Sequence, residues 1–325
     1  MIKNKVSLNI ISSFNQTNLT SLLNNSENLN WKINSTDYNQ VFQTLNNHNL
    51  DIWKHKANIT LVWTTPECIS PEFKKLLNQN KINQENIKKD VDYFCSSLKS
   101  IKKYSDIVIV PNWILQQQSE NNPALAYSKD FGVESNLSFM NHYLSEQLSN
   151  EKNFYILNST KWLLNCGISN AYSSKLWYLS KIPFSNSFFK EAISDLTNLY
   201  NSTKGKNKKL LILDLDDTLW GGIVGEVGWK NLRIGGHDYL GEAFKDFQTQ
   251  IKSLKNQGMV LALVSKNEET TAIEAIKKHP EMVLTMKDFV SYRINWEDKA
   301  KNILDIAKEL NLGLQSTVFF DDSPF

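Results

Sequence analysis

The sequence predicts an α/β protein made of two Rossmann-like domains, the second being a parallel sheet without a large cap. Short apolar segments alternate with longer amphipathic segments in both halves of the 325-residue chain. This alternation of strand and helix is typical of parallel sheets covered by helices. The polar, basic stretch Asn201–Lys209 interrupts it, which predicts a boundary between domains 1–203 and 204–325.

Hydrophobic periodicity places the individual elements. The predicted strands are Val6–Ser12, Ile59–Thr64, Asp106–Val110, Phe154–Leu157, Leu210–Leu213, Met259–Val264 and Thr317–Phe320. The predicted helices are Tyr38–Leu45, Gln84–Ile101, Leu137–Leu148, Ser187–Tyr200, Glu242–Asn256, Glu268–Lys278 and Lys299–Leu310.

Composition excludes several classes of function. A net charge of +2 gives no field for nucleic acid or a membrane surface. No apolar stretch approaches the roughly 20 residues of a membrane-spanning helix, and the N-terminal apolar run predicts a buried strand rather than a signal peptide. Cys68, Cys95 and Cys166 form no Cys-x-x-Cys pair, so we expect neither a zinc site nor a disulfide framework. That usage is typical of the cytoplasm.

The segment after the strand Leu210–Leu213 carries the chemistry. Asp214 and Asp216 are two residues apart, and the hydroxyl of Thr218 follows two residues later. Ligands bind at the carboxyl ends of parallel strands, and two acids there need a compensating cation or hydrogen bonds. Phosphoryl transfer uses an attacking carboxylate, a second acid that protonates the leaving oxygen, and Mg²⁺. Taken alone, Asp-x-Asp also fits a helix-capping loop or the metal site of a glycosyltransferase.

A second strand end favours phosphoryl transfer. The apolar strand Met259–Val264 is followed by Ser265, Lys266 and Asn267, and then by a helix. A hydroxyl and free N–H groups at a helix N-terminus form an anion site. Ser265 also suits a helix N-cap, and the two roles are compatible.

Two more features follow in chain order. Lys299 begins a helix, where a fixed ammonium stabilises a phosphate and an attacking carboxylate; Lys301 is its nearest rival. Asp321 and Asp322 follow the strand Thr317–Phe320, where paired acids suit Mg²⁺ or begin a turn.

The spacing of these features also argues against a cap domain. Asp214, Ser265, Lys299 and Asp321 are separated by 51, 34 and 22 residues in turn. Only the first interval has room for an insertion, and much of it is helical. The ordered set therefore predicts a phosphoryl-transfer site that something other than a large cap must cover.

This pattern resembles the four motifs of phosphatases of the haloacid dehalogenase (HAD) superfamily. The surrounding sequence is similar to the FkbH-like branch, HAD subfamily IIIC, over about 205–325. The segments that carry this similarity are Thr218–Trp229, Arg233–His237, Val264–Asn267, His279–Met282 and Arg293–Lys299.

The resemblance implies a complete Mg²⁺-dependent site. Asp214 would be the nucleophile and Asp216 the general acid/base, with Thr218 beside them. Ser265 and Lys299 would hold the phosphate. The metal ligands would be Asp214, the backbone carbonyl of Asp216, Asp321 and the nearby Asp322. Lys266 and Asn267 are expected at the substrate.

The segment Trp220–Gly236 resembles a β-hairpin flap whose tryptophans exclude water from the site. At its end, Arg233 and His237 are candidates for binding a substrate carboxylate or second phosphate. A surface arginine and a loop histidine are the alternative interpretation.

FkbH-like proteins handle a phosphorylated three-carbon acid. The resemblance therefore implies glyceryl transfer from 1,3-bisphosphoglycerate to an acyl carrier protein. Glyceryl-loading members often carry cysteine immediately before the second-motif serine, where this chain has Val264. Cys166 could replace it only if folding brought it close, and a buried structural thiol is the simpler interpretation. The alternatives are a plain small-molecule phosphatase and a non-catalytic interaction module, and the filled motifs argue against the latter.

The first half resembles the SGNH-hydrolase-like Rossmann domain that precedes the HAD domain in this family. Its hydrolase residues are missing, since Ile11–Asn15 contains no Gly-Asp-Ser and Asn170–Trp177 contains no Asp-x-x-His. We therefore expect a non-catalytic lid or carrier dock in which Ser12 and Ser13 are loop residues. The chain stops at Phe325, where a HAD sheet normally continues, so we expect either that the second domain is incomplete or that the outer wall of its site comes from elsewhere.

Overall fold

The computed structural model describes residues 5–115, 123–236 and 238–322. The chain divides into two compact units, Met1–Tyr200 and Asn201–Phe325. Each unit contains a sheet of parallel strands flanked by helices, which confirms the predicted α/β class.

The first unit contains a five-stranded parallel sheet with strand order β2-β1-β3-β4-β5. Its strands are β1 (Lys5–Ser12), β2 (Asn30–Ser35), β3 (Ala57–Trp63), β4 (Ser105–Pro111) and β5 (Phe154–Leu157). The sequence analysis missed only β2 among them. That strand lies at the sheet edge and is mostly exposed and polar, so it lacks the apolar run that marks a central strand.

Helices cover both faces of this sheet. They are α1 (Thr17–Asn24), α2 (Val41–Asn46), α3 (Pro66–Ile69), α4 (Pro71–Leu77), α5 (Gln84–Ser100), α6 (Val133–Leu148), α7 (Ser159–Cys166), α8 (Ile168–Ala171), α9 (Ser174–Ser180) and α10 (Asn186–Thr203). Neighbouring residues of one strand point to opposite sides, so Ile10 and Ile11 belong to separate hydrophobic clusters.

The second unit contains a four-stranded parallel sheet with strand order β8-β7-β6-β9. Its strands are β6 (Leu210–Leu213), β7 (Val260–Ser265), β8 (Ser291–Ile294) and β9 (Thr317–Phe320). Its helices are α11 (Val224–Val227), α12 (Tyr239–Asn256), α13 (Glu269–Lys278) and α14 (Lys299–Glu309). The sequence analysis missed β8, because its sequence Ser-Tyr-Arg-Ile has no apolar run, and Tyr292 and Arg293 are not buried.

Capping aspartates begin the two helices that flank the predicted site. Asp238 accepts hydrogen bonds from the N–H groups of Leu240 and Gly241, so α12 begins three residues before its predicted start. Asp298 likewise accepts from the N–H groups of Ala300 and Lys301, so α14 begins at Lys299. The cap at Asp298 therefore makes Lys299 the first residue of α14.

A buried carboxylate ties the segment before β8 to α12. Asp288 accepts hydrogen bonds from the N–H of Thr285 at 2.8 Å, from Lys255 at 2.7 Å and from Lys252 at 3.2 Å. Burial by itself would raise the pKa of Asp288, but the two ammonium groups and Thr285 outweigh it and hold the pKa well below its usual range.

We expect Asp288→Asn to lower the free energy of unfolding at pH 7 by about 2 kcal/mol, because it breaks a buried ion pair. A depressed pKa in the folded state contributes stability above the unfolded pKa of about 4 and loses it below. The melting temperature of the wild type should therefore fall more steeply than that of the variant as pH drops from 5 to 2. Asp246→Asn, an exposed change on α12, is the control; equal melting curves for both variants would contradict this role.

Among the described residues, no helix combines the length and apolar character needed to cross a membrane.

Candidate functional site

The site is built where β6 and β9 end side by side. Leu213 pairs with Phe320 in parallel register, and the N–H of Asp214 donates to the carbonyl of Phe320 at 3.0 Å. The residues that follow the two strands, Asp214 and Asp321, therefore emerge at one edge of the sheet. This is the edge at which parallel α/β sheets bind ligands.

A lysine from α14 joins the two strand ends. The ammonium of Lys299 lies 2.8 Å from Asp214 Oδ2 and 2.8 Å from Asp321 Oδ2. Burial alone would lower the pKa of Lys299, but its hydrogen bonds to the two carboxylates raise it above the ordinary value. Its rival Lys301 is largely exposed and pairs with Glu297 at 2.9 Å.

Three carboxylates lie close together at this edge of the sheet. Asp214, Asp321 and Asp322 each offer a carboxylate oxygen, and these atoms lie within 4.8 Å of one another. Lys299 contacts two of the three, Asp214 and Asp321, so its ammonium faces a cluster of acidic groups. Burial raises the pKa of Asp214, although Lys299, Ser265 and the N–H of Leu215 oppose this shift.

This donor set fits a divalent cation. Oδ1 of Asp214 is buried and accepts no hydrogen bond of good geometry from the described residues. A buried carboxylate oxygen in that state is costly unless a cation satisfies it. Three carboxylates are the hard oxygen ligands that Mg²⁺ prefers, with water completing its shell.

In the loop after β6, two buried leucines anchor the segment that contains Asp216 and Thr218. Leu215 and Leu219 are fully buried in the core of the second unit, which directs the residues between them toward the sheet edge. Asp217 adopts a left-handed conformation with φ of 50°. Thr218 is buried, and its hydroxyl has no hydrogen-bond partner among the described residues.

The carboxylate of Asp216 is held from two sides. Oδ1 accepts from the indole N–H of Trp220 at 2.8 Å and from the N–H of Val224 at 3.1 Å. Oδ2 accepts from the amide of Asn267 at 2.9 Å. The same Asn267 nitrogen lies 3.2 Å from the hydroxyl oxygen of Ser265.

The structure thus brings together residues from three strand ends and one helix start. Ser265 and Asn267 are buried beside Asp216, whereas Lys266 is exposed. Sequence reasoning missed the contact of Trp220, although its position four residues after Asp216, across one tight turn, was an available signal.

Of the two candidates for substrate binding, Arg233 and His237, the structure describes only Arg233. Arg233 donates to Asp238 through Nε at 3.3 Å and Nη2 at 2.9 Å, which links it to the cap of α12. His237 lies outside the described residues, so its predicted role stays a prediction.

The predicted β-hairpin flap is wrong. Residues 220–236 contain the short helix α11 and a 3₁₀ turn at Trp229–Asn231 instead of two strands. A single antiparallel bridge between Gly221 and Arg233 pairs the two ends of the segment. The close packing of Gly221 against Phe244 leaves no room for a Cβ, because one would lie 2.8 Å from that ring. Trp220 is completely buried in the core.

In the first unit, the serine that ends β1 and the serine that follows it accept hydrogen bonds from backbone N–H groups. The hydroxyl of Ser12 accepts from the N–H of Phe14 at 3.1 Å, and that of Ser13 accepts from the N–H of Thr65 at 2.9 Å. Ser13 lies in the loop, as the sequence analysis expects, whereas Ser12 is the last residue of β1, so that part of the expectation is wrong.

Fold and site together define a two-unit α/β protein with a lysine-paired acidic site at the carboxyl edge of its second sheet. No family model matches the sequence, and no curated protein matches it. The chain is similar to the N-terminal part of the protein BF1531 from Bacteroides fragilis, which contains a phosphatase domain and whose crystal structure is complexed with Mg. The two share 28% sequence identity with a TM-score of 0.87, over 99% of this chain and 85% of that chain.

Proposed function

We propose that this protein is a Mg²⁺-dependent phosphatase of the HAD type, acting on a small phosphorylated substrate through an aspartyl-phosphate on Asp214. The observation that carries the proposal is the Lys299 ammonium, 2.8 Å from the carboxylates of both Asp214 and Asp321. The likeness to a phosphatase domain complexed with Mg supports the same activity and the same metal. Asp214, Asp321 and Asp322 would hold Mg²⁺, which neutralises charge on the transferring phosphoryl group when bound.

In the first half-reaction, a carboxylate oxygen of Asp214 attacks phosphorus as the bond to the leaving oxygen breaks. Asp216 gives its proton to that oxygen, and the departing alcohol is released neutral. Lys299 stabilises the negative charge that builds on the phosphoryl oxygens, and the buried hydroxyl of Ser265 donates a hydrogen bond to one of them.

In the second half-reaction, the carboxylate of Asp216 takes a proton from a water molecule. The water oxygen attacks phosphorus, the bond to Asp214 breaks, and inorganic phosphate leaves. Asp216 ends protonated and Asp214 ends as a carboxylate, so the site returns to its starting state.

A phosphorylated hydroxy acid is the substrate class that the FkbH-like resemblance favours, with glyceryl transfer from 1,3-bisphosphoglycerate to a carrier protein as the second outcome. The cysteines weigh against a thioester on this chain. Burial raises the pKa of Cys68 to about 11 and that of Cys95 to about 12, and it also raises the pKa of Cys166. Since the thiolate is the nucleophile, none of these groups is activated.

One assay tests both outcomes. The purified chain is incubated with Mg²⁺ and labelled 1,3-bisphosphoglycerate or 3-phosphoglycerate, with and without a phosphopantetheinylated carrier protein. We expect phosphate release that stops when EDTA removes the metal and returns with added Mg²⁺. A mass increase on the carrier would establish glyceryl transfer. Absence of phosphate release from these compounds and from a sugar-phosphate panel would reject the phosphatase and favour the non-catalytic module.

A further inference from the structure

The contacts of Asp216 distinguish its two oxygens. Oδ1 accepts two N–H donors, from the Trp220 indole and the Val224 backbone, which occupy both of its lone pairs. Among the residues that the structure describes, Oδ2 accepts from one donor, the amide of Asn267, and keeps one lone pair. A proton on Oδ1 would have to displace an N–H group, whereas a proton on Oδ2 displaces nothing.

Asn267 also sets the direction of a second group. Its amide nitrogen can only donate, so Ser265 Oγ, 3.2 Å away, is the acceptor in that contact. The hydroxyl proton of Ser265 is then free to donate to another group. Asn267 therefore links the residue that holds phosphate to the residue that moves protons.

The two side chains that donate to Asp216 are buried. Trp220 is fully buried and Asn267 is 4% exposed, so water cannot readily replace either donor. Both side chains are fixed by the core of the second unit or by the loop that follows β7.

We propose that Trp220 and Asn267 are positioning residues that orient Asp216, so that Oδ2 is the oxygen that gives the proton to the leaving group. This inference rests on the proposed function and extends it, because it assigns Asn267 to the acid rather than to the substrate. Without these donors the carboxyl group can rotate, and its proton no longer points at the leaving oxygen.

Leaving-group chemistry tests the proposal. An alkyl phosphate such as glycerol 3-phosphate needs the acid, because an alkoxide is a poor leaving group. The dinitrophenolate of 2,4-dinitrophenyl phosphate is a good leaving group and departs without a proton. The ratio kcat/KM reports the steps through leaving-group departure, before water attacks. We expect Trp220→Phe to lower kcat/KM at least about tenfold for the alkyl phosphate and less than about threefold for the dinitrophenyl ester.

The activated ester is an internal control for folding, since a damaged site would lose both activities together. Asn267→Ala is the second variant, and the alkyl-to-aryl ratio of kcat/KM should fall in it as well. An equal loss for the two substrates in both variants, with both melting temperatures at the wild-type value, would overturn the positioning role while leaving the phosphatase intact. Failure of the wild-type protein to cleave either ester would instead reject the proposed function, and this inference with it.

Discussion

Asp214→Asn should lower phosphate release by about 10⁴-fold or more, since an amide cannot attack phosphorus. The fold should survive this change. Burial already raises the pKa of Asp214, which means that its charge is a burden in the folded state. Lys299 keeps its second partner, Asp321, at 2.8 Å. We therefore expect the melting temperature in the absence of metal to stay the same or rise.

Measuring phosphate release and thermal melting on the same samples separates loss of chemistry from loss of structure. Asp246→Asn, the same chemical change at an exposed position of α12, should leave both quantities unchanged. Wild-type turnover by the Asp214→Asn variant would end the assignment of Asp214 as the nucleophile.

The second large effect is expected at Lys299. Lys299→Ala removes the ammonium between Asp214 and Asp321, and we expect phosphate release to fall by about 10²- to 10³-fold. The three neighbouring carboxylates then repel one another more strongly, because the ammonium that pairs with two of them is gone. The melting temperature of the variant without metal should therefore drop, and Mg²⁺ should raise it more than it raises that of the wild type.

Lys301→Ala is the matched control, two residues along the same helix. Lys301 is 62% exposed and pairs with Glu297 at the surface, where such pairs contribute little. Its loss should change neither activity nor the response to Mg²⁺. Equal behaviour of the two lysine variants would show that the contacts of Lys299 are not functional.

Much of the fold could be predicted from local patterns. The strands β6 and β9 have the bounds that the sequence predicts, because each contains a run of apolar residues that stops at an aspartate, and β6 is buried throughout. Strands β2 and β8 escaped prediction because their sequences mix polar and apolar residues, unlike the edge strands β5 and β9. The hairpin prediction for 220–236 failed for a different reason. The glycines of this segment permit several turn types, so the sequence does not indicate which one forms.

The sequence alone determined which residue types reach the carboxyl edge of the second sheet, because strand polarity and the placing of Asp214, Ser265 and Asp321 at strand ends are local properties. Only the tertiary structure decided which groups meet there. It selected Lys299 over Lys301, paired Arg233 with Asp238, and placed Trp220 and Asn267 on opposite oxygens of Asp216. Hydrogen bonds between residues 51 or 85 positions apart depend on how strands and helices pack, and side-chain periodicity carries no information about that packing.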